Sequence, residues 1–149
     1  MTTKDHLYSM CEEYVESRIQ RIQKSLKDLE EDMESEGKNS AGDKYETGRE
    51  MMSEEWNKLS NQLKEFKQQK DTLKLAKNRE ASKRIQLGCL VKTSASNYFI
   101  SIPVGKMELD KHTFYGVGAN SPVARLLMGK TEGDDFEFNG IKNKIFTVD

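Results

Sequence analysis

From Val15 onward, apolar residues fall at Val15, Ile19, Ile22, Leu26, Leu29 and Met33, with charged or polar residues between them. These alternating steps of four and three form a heptad seam, and they predict a first helix that Tyr8, Cys11 and Tyr14 extend toward the N-terminus. The spacing resumes at Tyr45 and runs through Met52, Trp56, Leu59, Leu63, Phe66 and Leu73, with Arg49 and Lys70 as polar positions inside the seam. A second helix of similar length is predicted. Each covers about 30 residues, roughly 45 Å at helical rise, and a short connector makes such helices antiparallel neighbours. The connector "NSAGDKYETG" has suitable punctuation: Gly37 can end the first helix, Ser40 or Asp43 can cap the second, and Asp43 with Glu46 has capping-box spacing.

After "AKNREASKR" the pattern changes near Ile85, so the expected division is a helical hairpin over 1–80 and a second domain over 81–149. The runs "IQLGCLVKT", "NYFISIP", "HTFYGVGA", "DDFEFNG" and "KNKIFTVD" are short and rich in β-branched and aromatic residues, with Ser, Asn, Gly and Pro between them. They predict a small antiparallel sheet. "SPVARLLMGK" predicts one short helix, with Ser121 as N-cap, Pro122 at its first position and Gly129 as its stop. The fold class is therefore α+β, an antiparallel coiled-coil hairpin followed by a small sheet domain. Neither part alone buries much surface, and Tyr8, Cys11 and Tyr14 are the residues expected to join helix to sheet.

Composition agrees with a rod-like part, since 35% hydrophobic and 33% charged residues are lean for a globular core. No run of about 18 apolar residues occurs, and the start "MTTKDHLYSMCEEY" is mixed polar and amphipathic, so a cytosolic protein without membrane contact is expected. Cys11 and Cys89 lack CxxC or histidine spacing and are expected to be reduced, buried thiols. The net charge of -1 hides a segregation: residues 28–55 hold eleven acids against three bases, and residues 56–92 hold ten bases against three acids. The basic run from Lys58 to Arg84 can face a polyanion or simply solvent, and nothing aromatic interleaves it for base stacking.

The stretch "ANSPVARLLMGKTEGDDFEFNGIKNKIFTVD" resembles the C-terminal segment of the GreA/GreB transcription elongation factor family. Ser121, Pro122, Ala124, Arg125, Leu127, Gly129, Lys130, Gly133 and Asp134 carry the likeness, and the predicted helical hairpin ahead of them extends it to the whole chain. The resemblance implies an FKBP-like C-terminal domain that grips bacterial RNA polymerase, with Asn120, Ser121, Pro122 and Arg125 as docking residues. It also implies a coiled coil that enters the secondary channel. The tip would then supply Asp43 and Glu46 to hold a catalytic Mg²⁺ and the attacking water, with Tyr45 and Arg49 as partner contacts, so that the polymerase cleaves its own backtracked transcript.

On this resemblance the protein is no enzyme by itself and has no cofactor of its own. The Mg²⁺ is shared with the polymerase, transcript RNA in the channel is a further contact, and a monomer is expected. Asp43-Lys44-Tyr45-Glu46 has the family's acidic spacing, and Tyr45 with Arg49 its Tyr-Arg spacing, but the two halves do not align together without a gap. The alternative reading is thus a channel-occupying regulator that binds polymerase without stimulating cleavage. A proline isomerase and a free-standing coiled-coil scaffold are readings of other classes. His6 and His112 are isolated, and no catalytic role is expected for them.

Overall fold

The structure is a computed structural model that describes the backbone of residues 1–38 and 43–149 and the side chains of residues 1–35 and 48–149. Helix α1 spans Thr3–Lys38 and helix α2 spans Asp43–Lys77. The strands are β1 (Leu90–Thr93), β2 (Asn97–Ser101), β3 (Gly105–Leu109), β4 (His112–Gly118), β5 (Asp135–Phe138) and β6 (Ile141–Val148), with helix α3 (Pro122–Leu127) between β4 and β5. The α+β class expected from the pattern is the class observed. The chain forms two compact units: one holds Met1–Tyr14 with Lys70–Asp149, the other Val15–Gln69. Helices and strands divide in sequence near residue 80, whereas in space the start of α1 and the end of α2 belong with the strands.

In the sheet unit the strand order is β3-β4-β2-β1-β6-β5. All pairings are antiparallel except β2 with β4, which is parallel in the register Tyr98↔Tyr115 to Ser101↔Gly118. The sheet is therefore mixed, a correction to the wholly antiparallel expectation. Its cause is β3, which the sequence pattern did not single out. The chain leaves β2, passes residues 102–104, forms β3, and turns back as β4, which inserts between β3 and β2.

The crossover lies so close to β4 that a Cβ at Gly116 would overlap the Val104 side chain and sit 3.2 Å from the Ile102 carbonyl. Glycine is required there by space rather than by backbone angle. Only Met107 of β3 is buried, and Lys106 pairs with Glu108 at 3.2 Å on its exposed side. Charge on an edge strand of this kind discourages pairing with another chain.

Strand β2 is buried on both faces, which explains why "NYFIS" shows no polar alternation. Tyr98 and Ile100 join Val91, Ile145 and Phe136 in a core that α3 closes with Val123, Ala124 and Leu127. Phe99 and Ser101 face the other way. Tyr8 of α1 meets Phe99 edge-on, with centroids 4.8 Å apart and planes at 88°, and Cys11 Sγ lies 3.9 Å from Ser101 Oγ. Tyr8 and Cys11 thus join helix to sheet as expected. Gly88, at φ +96°, completes this packing, because a side chain there would come within 2.7 Å of the Ala76 carbonyl near the end of α2.

Helix α1 starts earlier than its seam because Thr2 and Asp5 cap it reciprocally. The Thr2 N–H donates to Asp5 Oδ2 at 3.0 Å, and the Asp5 N–H donates to Thr2 Oγ1 at 3.1 Å. The bonds from Thr2 hold the Asp5 carboxyl below its ordinary range. Lys77 closes an ion pair with Glu12 at 3.2 Å, so the two helix ends in this unit lie side by side.

The second unit is the remainder of the helical hairpin. Its seam is buried at Val15, Ile19 and Ile22 but only half-buried at Leu26, Leu29, Met33, Met52, Trp56, Leu59, Leu63 and Phe66. Late residues of α1 and early residues of α2 line one cavity, which is the antiparallel arrangement. Among the described residues no helix is long and apolar enough to cross a membrane.

Candidate functional site

The first candidate surface is the start of α3. Gly118 O accepts from the Ser121 N–H at 3.0 Å and turns the chain out of β4. The Ser121 side chain then accepts from the Ala124 N–H at 3.3 Å, with Pro122 at the first helical position, as the sequence predicts. The helix buries Val123, Ala124 and Leu127, so residues on its opposite side must face out: Asn120, Pro122, Arg125 and Leu126 are exposed, and Ser121 is half-buried. The structure therefore places Asn120, Ser121 and Pro122 at the start of a short, well-anchored helix and Arg125 in its last turn.

Arg125 itself makes no ion pair among the described residues. The loop after α3 is tied instead by Arg84, whose Nη1 donates to the Gly129 carbonyl at 3.1 Å. Ile85 reinforces the tie, because its N–H donates to the Lys130 carbonyl at 2.8 Å and its carbonyl accepts from the Gly129 N–H at 2.9 Å. In the sequence Arg84 is one of a basic run, which gives no hint of this role. No spacing signal announces it, since its acceptor lies 45 residues away.

Other residues of the "SPVARLLMGKTEGDD" stretch serve the turn into β5. Asp134 Oδ2 accepts from the Thr131 N–H at 2.8 Å and lies 3.3 Å from Thr131 Oγ1. The Thr131 backbone bond is the main reason its carboxyl sits below the ordinary carboxylate range. Gly133 adopts φ +87° and donates to the Ile145 carbonyl at 2.8 Å. Ser121, Pro122, Gly133 and Asp134 thus have structural work, and Arg125 faces outward without an ion pair among the described residues.

The second candidate surface belongs to the helical unit. Asp43 opens α2, but the side chains of Asp43, Tyr45 and Glu46 lie outside the described residues, and so does the expected metal and catalytic pair. Among the described residues no group of three or more His, Cys, Asp or Glu side chains is arranged around a metal position. Arg49 is exposed and lines a groove with Glu30, Met33, Glu34, Met52 and Trp56. By spacing, Met33, Met52 and Trp56 are seam residues. Trp56 is half-buried, so the seam is incompletely closed there.

Cys11 and Cys89 are free and buried, as expected. Burial pushes the Cys11 thiol up to about 11 and the Tyr8 phenol up to about 12, so both stay protonated near neutrality and serve packing rather than nucleophilic chemistry.

No protein-family model matches this chain, and no curated protein matches its sequence.

Proposed function

We propose that this protein is a Gre-like factor that binds bacterial RNA polymerase, extends its helical hairpin into the secondary channel and stimulates cleavage of backtracked transcripts. The observation that carries the reading is the C-terminal stretch with its outward-facing residues: a helix started by Ser121 and Pro122, holding Arg125 exposed and without an ion pair among the described residues. The presence of a helical hairpin N-terminal to a sheet unit supports it further. In this reading Asn120, Ser121, Pro122 and Arg125 form the docking surface. Tyr45 and Arg49 contact the polymerase inside the channel, where transcript RNA is a further contact.

Asp43 and Glu46 are hard oxygen donors of the kind Mg²⁺ takes, and they supply carboxylate oxygen to the polymerase's own metal centre. The protein brings no cofactor and performs no reaction alone. A second reading is favoured by one specific feature: the acidic pair and the Tyr45–Arg49 pair do not align together with the family pattern. A hairpin with such a tip can occupy the channel without assisting cleavage.

Two measurements test these readings. Co-purification with core RNA polymerase should succeed for the native chain, and Arg125→Ala should weaken it by about tenfold, the scale of one lost charged contact. Failure of the native chain to bind rejects both readings. Cleavage in stalled complexes should rise with native protein and vanish for Asp43→Ala combined with Glu46→Ala, while affinity stays within about twofold. Binding with no added cleavage selects the channel-occupying reading.

A further inference from the structure

The helical unit holds a groove of about 440 Å³, open to solvent, with Met33, Met52 and Trp56 as its apolar lining. Glu30 and Glu34 also line it, one helical turn apart and so on one face of α1. Arg49 is the cation among the described lining residues, and it already has an interaction within the protein. Glu31, Asp32, Glu50, Glu54 and Glu55 are exposed nearby on the same helices, so the groove lies in a strongly negative field. An apolar trough under carboxylates has a definite chemical complement.

We propose that this groove docks a segment of a partner protein that presents an apolar side chain flanked by lysine or arginine. The volume suits one or two inserted side chains and falls in the range of ordinary ligand sites. Methionines at 33 and 52 adapt their shape to the inserted group. The Trp56 ring offers a flat face to a guanidinium or ammonium, and Glu30 and Glu34 complete the pairing from α1. An acidic partner is repelled, and a purely apolar one leaves the carboxylates unanswered.

The groove shares Arg49 with the polymerase reading, but its occupancy is read from Trp56 emission with a peptide alone, so its failure and that of polymerase binding are distinguishable.

Trp56 is the only tryptophan of the chain, so its emission reports groove occupancy directly. The full chain is titrated with acetyl-Lys-Arg-Leu-Leu-Arg-Lys-amide, with the counterpart acetyl-Glu-Glu-Leu-Leu-Glu-Glu-amide, and with spermidine. The basic peptide should shift the emission saturably below millimolar concentration, and the other two should not. Glu30→Gln with Glu34→Gln should weaken that peptide by about tenfold. Both residues are exposed, so far-ultraviolet circular dichroism should be unchanged. The inference is overturned by no saturable shift with the basic peptide, by an equal response to the acidic peptide or spermidine, or by undiminished affinity in a folded double variant.

Discussion

The sheet unit and the helical unit are built from the same chain on opposite terms. In the first, Leu7, Cys11, Val91, Phe99, Ile100, Ala124, Leu127 and Ile145 are removed almost wholly from water, and strand β2 is covered on both faces. In the second, burial among the described residues is confined to Val15, Ile19 and Ile22, and the described seam positions between Leu26 and Phe66 stay half-exposed. Two paired helices offer each other one stripe, whereas a sheet between helices offers two faces. The sheet unit is expected to set the global stability, and the helical unit to open at lower free energy.

Removing one large side chain from each unit should give the largest contrast. Phe99→Ala should cost about 3–5 kcal/mol, enough to leave little folded protein, since it empties the layer beneath Tyr8. Leu63→Ala, at a half-buried seam position, should cost about 1–2 kcal/mol. Denaturant midpoints measure both. Hydrogen exchange sharpens the comparison: amides of β1 and β2 should exchange only through global unfolding, and those of residues 50–66 through smaller openings. Equal protection in the two units would dissolve the distinction.

A pH titration probes the sheet unit. The Cys11 thiol rises from an ordinary 9.0 to about 11, and the Tyr8 phenol from 10.0 to about 12, in both cases chiefly through burial. The folded state thus holds these protons more tightly than the unfolded chain does. Their stabilisation is fully present below pH 9 and is lost as pH rises, from 9 to about 11 for Cys11 and from 10 to about 12 for Tyr8. Thermal midpoints should fall across this window, and Cys11→Ala should flatten its lower half relative to the native chain.

The smallest expected effect is a gain. The β3–β4 hairpin turns through Asp110 at φ +50° and Lys111 at φ +66°, a two-residue connection that prefers glycine second. Lys111→Gly should raise stability by about 0.5–1 kcal/mol, seen as a higher denaturant midpoint. The β5–β6 turn already has Asn139 and Gly140 in those positions and should gain nothing from further change.

Much of the architecture was legible because local rules carried it. The heptad seam marked both long helices, the Ser-Pro pair marked α3, and β-branched and aromatic runs marked β1, β2, β4, β5 and β6. The Thr2–Asp5 cap is also present in the letters, ahead of the Tyr8, Cys11 and Tyr14 extension of the first helix. Strand β3 escaped because "GKMEL" buries one residue and alternates charges on an edge, a pattern shared with exposed loops. With β3 unseen, the parallel β2–β4 pairing was beyond reach.

The candidate surfaces divide along the same line. Ser121, Pro122 and Arg125 stood out as a motif, and the structure separates them into cap, helix starter and outward-facing cation. Arg84 and the Trp56 groove were illegible, one because its acceptor is 45 residues away and the other because a seam residue and a groove residue have the same spacing.

The sequence by itself determined where the chain is helical, where it turns to strands, how charge is segregated along it and which residues cap α3, because each of these depends on neighbours within a few positions. Only the tertiary structure decided the strand order, the requirement for glycine at 116 and 88, the joining of Tyr8 and Cys11 to β2, and which seam positions stay open to water. Those outcomes depend on what distant segments bring to the same place, and periodicity along a chain carries no record of it.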